Sequence, residues 1–152
     1  FQWNTNLTIT ESQISMSATE RRSRQLTARE GQEIGTTRDM AGQAPYIINT
    51  GIAYSDFNTG WEAGIYYNVQ GPTLNMVGFG NRTDTYAVPF NSLNLNINKT
   101  FGADERIRAS FGVQNLLNDK REFIFSSYGA QDQFFTQLAP GVRANFSLGF
   151  SF

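Results

Sequence analysis

The chain contains neither His nor Cys. The imidazole acid/base, the thiolate nucleophile and the commonest soft-metal ligands are therefore missing, which leaves carboxylates, Ser, Thr, Tyr and Lys for any chemistry. Asp56-Phe57-Asn58-Thr59-Gly60 copies the opening of a calcium loop, but Tyr67 stands where the closing bidentate Glu belongs. The segment reads as a hairpin turn.

The remaining candidates are polar side chains at period two: Arg106 and Arg108, Arg143, Glu62, and the ladder Asn94, Asn96 and Asn98. At that spacing each set shares one face of an extended strand. The three arginines are expected to form a basic patch that attracts an anionic ligand or pairs with carboxylates of a neighbouring domain. No catalytic residue, cofactor or metal site is expected, and the chain reads as a non-enzyme.

A second concentration of charge, Glu20, Arg21, Arg22, Arg24, Arg29, Glu30, Glu33, Arg38 and Asp39, lies in one polar stretch and reads as a solvated surface loop. Asn6-Leu7-Thr8, Asn81-Arg82-Thr83, Asn98-Lys99-Thr100 and Asn145-Phe146-Ser147 match a glycosylation sequon. Chance in an Asn-rich chain explains them better, because some fall inside strands. A formal net charge of -1 and the lack of a basic stripe exclude a nucleic-acid partner.

The elements that must hold these residues are strands. Val142, Ala144, Phe146, Leu148, Phe150 and Phe152 alternate with Arg143, Asn145, Ser147, Gly149 and Ser151. The same alternation runs through 106–114, 93–98, 61–70 and, less cleanly, 46–54. With residues 1–10 it predicts about six long strands and no helix.

The connections come in two kinds that alternate. Ser55 to Gly60 and Phe101 to Glu105 are short turns rich in Gly, Asp and Asn, whereas Ser17 to Ala44, Gly71 to Tyr86 and Asn118 to Gly141 are long and polar. Short turns at one rim and long loops at the other characterise outer-membrane barrels, with a lipid-facing apolar side and a polar lumen side. In that arrangement Arg106, Arg108, Arg143, Glu62 and the asparagine ladder face the lumen. Trp3, Trp61, Phe150 and Phe152 fall near the periplasmic rim, and Tyr46 and Tyr67 nearer the outer one.

The slightly negative mean hydropathy fits a barrel as well as a soluble sheet, since half of each strand is polar. The soluble alternative is an antiparallel sheet with one buried face. Strand length, terminal aromatics and loops on one rim favour the barrel. The start, Phe1-Gln2-Trp3, shows no signal-peptide pattern and reads as a mature or internal segment. The lack of Cys is compatible with an oxidising periplasm or cell surface.

Ala41-Gly42-Gln43-Ala44-Pro45-Tyr46-Ile47-Ile48-Asn49-Thr50-Gly51-Ile52-Ala53-Tyr54 resembles a segment of TonB-dependent receptors of Bacteroidetes type. The likeness continues in order through Tyr67-Asn68-Val69-Gln70-Gly71, Val77-Gly78, Pro89-Phe90-Asn91-Ser92-Leu93-Asn94-Leu95, Gln114-Asn115-Leu116-Leu117-Asn118 and the aromatic C-terminus.

The resemblance implies an all-β, transmembrane antiparallel β-barrel, of which this chain supplies about the last six of about 22 strands. It implies energy-dependent uptake across a bacterial outer membrane of a substrate such as a siderophore, cobalamin, peptide or glycan. The implied partners are outer-membrane lipid and lipopolysaccharide, a plug and the remaining strands, the TonB complex acting through the plug, and a surface lipoprotein or envelope complex. Phe146, Leu148, Phe150 and Phe152 resemble the C-terminal signal for barrel assembly. No plug sequence, TonB box or carboxypeptidase-like extension occurs in these residues. Two further readings are a barrel that docks envelope proteins by its loops, and a small eight-stranded barrel with an extra hairpin from Glu122 to Ser127 and Phe134 to Leu138.

Overall fold

The structure, a computed structural model, describes residues 1–28, 30–79, 82–102, 106–125 and 131–151. In chain order the elements are β1 (Gln2–Ile9), β2 (Gln13–Ser15), α1 (Ala18–Thr27), β3 (Thr37–Asp39), β4 (Tyr46–Asp56), β5 (Trp61–Gln70), β6 (Thr73–Met76), β7 (Thr85–Ala87), β8 (Phe90–Phe101), β9 (Ile107–Gln114), β10 (Arg121–Phe125), β11 (Gln133–Leu138) and β12 (Arg143–Phe150).

The six long strands follow the expected alternation and build one antiparallel sheet in the order β1-β4-β5-β8-β9-β12. The sheet is open: β1 and β12 stand at opposite edges and do not pair with each other. Its register carries the alternation from strand to strand without a slip, as a shared buried or lipid-facing side requires. Leu7 pairs with Ile48, Ile48 with Val69, Ile65 with Leu95, Leu95 with Val113, and Val113 with Ala144. One face is therefore apolar across all six strands and the other polar.

None of the described residues covers the apolar face. Leu7, Ile52, Phe111, Phe146 and Leu148 are exposed, and the buried hydrophobic residues among those described are only Ala44, Val69, Leu74 and Val113. Each large side chain left in water forgoes roughly 1.5–3 kcal/mol of burial. Such a face fits a chain whose core lies elsewhere, against lipid or a partner.

Its lower rim is aromatic. Phe1 packs on Tyr54 with ring centroids 5.0 Å apart. Lys99, the one cation on this face among the described strand residues, lies 5.0 Å above Trp61 and 5.6 Å from the Phe101 ring. Its ammonium turns to the rim and donates to the Thr59 carbonyl, as a long cationic side chain at an apolar boundary does.

The short connection between β4 and β5 is the expected hairpin. The Asp56 carboxylate accepts the Asn58 N–H at 3.0 Å and the Thr59 hydroxyl at 2.7 Å, while Gly60 N–H donates to the Asp56 carbonyl at 2.8 Å. Gly60 has φ +69°, and a Cβ there would meet the Thr100 carbonyl oxygen at 2.5 Å. Both conditions call for glycine.

The long connections depart from expectation, because they fold. The first contains a helix, contrary to the helix-free reading. Ser17 caps α1 by accepting the Glu20 N–H at 3.2 Å, and Ser17-Ala18-Thr19-Glu20 has the residue types of a capping box. The second and third connections contribute β6, β7, β10 and β11 to a four-stranded sheet in the order β11-β10-β7-β6. The hairpin expected near Glu122 and Phe134 forms as β10 and β11, but it joins β7 instead of the main sheet. The eight-stranded reading thereby loses its two extra wall strands. Short segments of three to six residues hold together here because each completes the backbone pairing of another loop.

Candidate functional site

The polar face and the loop sheet above one end of it form the candidate site. Arg108 and Glu62 meet on this face, Nη2 to Oε2 at 2.6 Å, although they belong to β9 and β5. Asn98 of the intervening β8 donates to the same carboxylate oxygen at 3.5 Å. Arg143 is not with them. It pairs with Gln114, whereas Arg108 pairs with Gly149, six positions along β12 and so about 20 Å away. Arg106 precedes β9 beside the short-turn end, where its carbonyl accepts the Ser151 N–H at 2.8 Å. The expected basic patch is thus divided between the two ends of the sheet, and Arg108 is neutralised by Glu62.

Asn94 and Asn96 lie further up the same face. Asn94 Oδ1 accepts the backbone N–H of Asn115 at 3.1 Å, which ties β8 to the turn after β9. Asn96 and Asn145 converge over Gly112, where a Cβ would stand 2.7 Å from Asn145 Oδ1 and 3.1 Å from Asn96 Oδ1.

Tyr66 was not singled out from its sequence neighbourhood, yet it is the most extensive feature of the wall. Its ring lies across two glycines. A Cβ on Gly51 would meet Tyr66 Cδ1 at 2.5 Å, and one on Gly64 would meet its hydroxyl oxygen at 2.6 Å. The residue is still 43% exposed, on the polar face of the sheet. Gly64 two residues before Tyr66 is readable in sequence, but Gly51 becomes a partner only through the β4–β5 register.

At the loop end, Gln114-Asn115-Leu116-Leu117-Asn118 folds as a turn with both asparagines left-handed, φ +54° at Asn115 and +52° at Asn118. Asn tolerates that region better than most residues. Buried Asn115 donates from Nδ2 to the carbonyls of Asp119 (3.1 Å) and Gly141 (3.0 Å), and its Oδ1 accepts the Asp119 N–H at 3.1 Å. Asp119 Oδ2 in turn accepts the Asn91 backbone N–H at 2.7 Å and Nδ2 at 3.1 Å, while Asn91 Oδ1 accepts the Tyr67 hydroxyl at 2.6 Å. Burial pushes the Asp119 carboxyl up, but the Asn91 and Lys120 hydrogen bonds outweigh it and hold the group below its ordinary range.

The charged stretch of the first loop is partly knitted into the cap. Arg24 of α1 reaches Asp84 at 2.8 Å, as a partly buried ion pair without an in-line hydrogen bond. Glu20 receives Arg38 Nε at 2.5 Å, and Asp84 also accepts the Gly78 N–H at 2.8 Å. Arg21, Arg22, Glu30, Glu33 and Asp39 remain exposed, as a solvated loop would have them, and Arg29 lies outside the described residues. Tyr86 beside this pair has its hydroxyl pushed above the ordinary value, first by burial and then by the Asp84 charge. Arg121, the first residue of β10, holds its guanidinium carbon 4.8 Å from the centre of the Phe90 ring. It lines two hollows, of about 500 and 550 Å³, between the loop sheet and the main sheet.

Phe146, Leu148 and Phe150 project from the apolar side of the β12 edge, opposite Phe111, Ala109 and Ile107. Phe152 lies outside the described residues. Among the described residues no three carboxylates gather to hold a metal ion, and no helix is long and apolar enough to cross a membrane, which says nothing of strands. No protein-family model matches the chain, and comparison with curated proteins and with solved structures returns no match.

Proposed function

We propose that this chain is a wall segment of a TonB-dependent outer-membrane receptor, in which the apolar face meets lipid, the polar face lines the lumen and the folded loops cap the outer mouth. The observation that carries the proposal is the uncovered apolar face, continuous over six strands and edged by Phe1, Trp3, Tyr54, Trp61, Phe101 and Phe150 at the short-turn rim. The 11 residues of β4 extend about 36 Å, which at a tilt near 40° gives a height of about 28 Å. That matches a bilayer's hydrocarbon core of about 30 Å. Lipid does not tolerate unpaired strand edges, so in the proposed receptor β1 and β12 pair with further barrel strands. A plug fills the lumen and couples the receptor to the TonB complex.

Because these 152 residues contain no Cys, an introduced one is unique within them, and the unsubstituted protein serves as the labelling control. Single substitutions Ile65→Cys on the apolar face and Asn94→Cys on the polar face are made in the whole protein in its own outer membrane. A water-soluble maleimide is expected to label the Asn94 variant only, and a lipid-soluble one the Ile65 variant. Equal aqueous labelling of both overturns the lipid-facing wall. Collapse of the proton-motive force with an uncoupler is expected to change Asn94→Cys labelling, since TonB-driven movement of a plug would uncover it.

Docking of a surface lipoprotein by the loops is the second reading, favoured by the exposure of Phe134 and Leu138 on β11. Labelling that ignores the uncoupler would support it over transport.

A further inference from the structure

The hollow of about 550 Å³ between wall and loop sheet falls within the usual size of a small-ligand site. Tyr66 and Arg121 both line it. The Tyr66 ring lies over Gly51 and Gly64, and the residue is 43% exposed. Arg121 is exposed and stacked on Phe90, and among the described residues no carboxylate pairs with it. The neighbouring carboxylates are engaged elsewhere: Asp119 by Asn91, and Glu122 by Gln137 Nε2 at 2.5 Å. Stacking on a ring leaves the edge of a guanidinium, with its fork of N–H donors, free for a planar anion.

Asn96 and Gln114 line the same hollow, both exposed and neither engaged in a side-chain hydrogen bond among the described residues. Each offers a carbonyl acceptor beside an amide donor, a spacing that suits vicinal hydroxyls. An aromatic face receives the C–H side of a sugar ring through its negative quadrupole. A ligand satisfying all four groups carries a carboxylate and a polyhydroxylated ring. The geometry points to a recognition subsite for an acidic oligosaccharide, with a uronate carboxylate on Arg121 and a sugar ring of the same chain on Tyr66. This deepens the receptor reading and rests on it.

The test uses the complete protein purified from its own membranes. Calorimetric titrations are run with trigalacturonate, its carboxyl-reduced neutral trimer, and triglutamate as an acidic peptide. The uronate trimer is expected to bind saturably. Arg121→Gln is expected to weaken it about 10-fold or more, the worth of one charge-assisted hydrogen bond, and to leave the weaker binding of the neutral trimer unchanged. Tyr66→Ala is expected to weaken both sugars, with Tyr66→Phe near wild type as the control for folding. No binding of trigalacturonate, equal binding of triglutamate, or an Arg121→Gln protein with unaltered affinity overturns the subsite. Loss of the subsite with Ile65→Cys still labelled only from lipid leaves the receptor wall standing, so the two failures are distinguishable.

Discussion

Arg108 and Glu62 form an ion pair at 2.6 Å across an intervening strand, with Asn98 of that strand donating to the same carboxylate oxygen. The pair neutralises one of the cationic side chains that the polar face carries. Its side chains are 55% and 44% exposed, so water screens the attraction. Glu62→Gln is expected to cost no more than about 1 kcal/mol in urea unfolding, and a double-mutant cycle with Arg108→Gln to give a coupling of about 0.2–1 kcal/mol.

The Tyr66 seat is a steric lock and predicts a larger effect. Gly64→Val places side-chain atoms where the ring lies, and overpacking of this kind costs about 1–3 kcal/mol. The urea midpoint of the variant should fall, and Tyr66→Ala in the same chain should restore part of it. A Gly64→Val midpoint equal to wild type would show that the ring is free to leave the wall.

Asn115 joins a left-handed backbone to three hydrogen bonds made by its own side chain. Asn115→Ala removes those bonds and retains the strained φ, which together cost about 2–4 kcal/mol. The segment 118–141 is expected to become protease-sensitive while the wall stays intact. Asn115→Gly, which relaxes only the backbone, should fall between the two.

The loop end should also respond to pH, at both extremes. Asp119 titrates below its ordinary 3.8 in the fold, so its contribution is full above that value and disappears as the pH falls through the lower folded one. Tyr86 titrates above 10.0, so its contribution is full below that value and is lost as the pH rises through the higher folded one. Hydrogen exchange of the loop residues should be flat between these limits once corrected for intrinsic rate. Asp119→Asn should abolish the acid limb and leave the alkaline one.

By itself the sequence determined the six strands, the face each residue occupies and the β4–β5 turn. These follow from local rules: period-two alternation sorts side chains to opposite sides, and Asp56 with Gly60 closes a turn within five residues. Ser17-Ala18-Thr19-Glu20 carries the residue types of a capping box, but α1 is ten residues long and mostly charged or polar, so no apolar stripe marked the stretch as a helix and it was expected as loop. Only the tertiary structure decided which residues meet. Arg143 was separated from Arg108 by the direction and register of β12, Gly51 was brought beneath Tyr66 by the register of β4 and β5, and β6, β7, β10 and β11 found one another across distant loops. Such encounters depend on pairings remote in sequence, which no local period encodes.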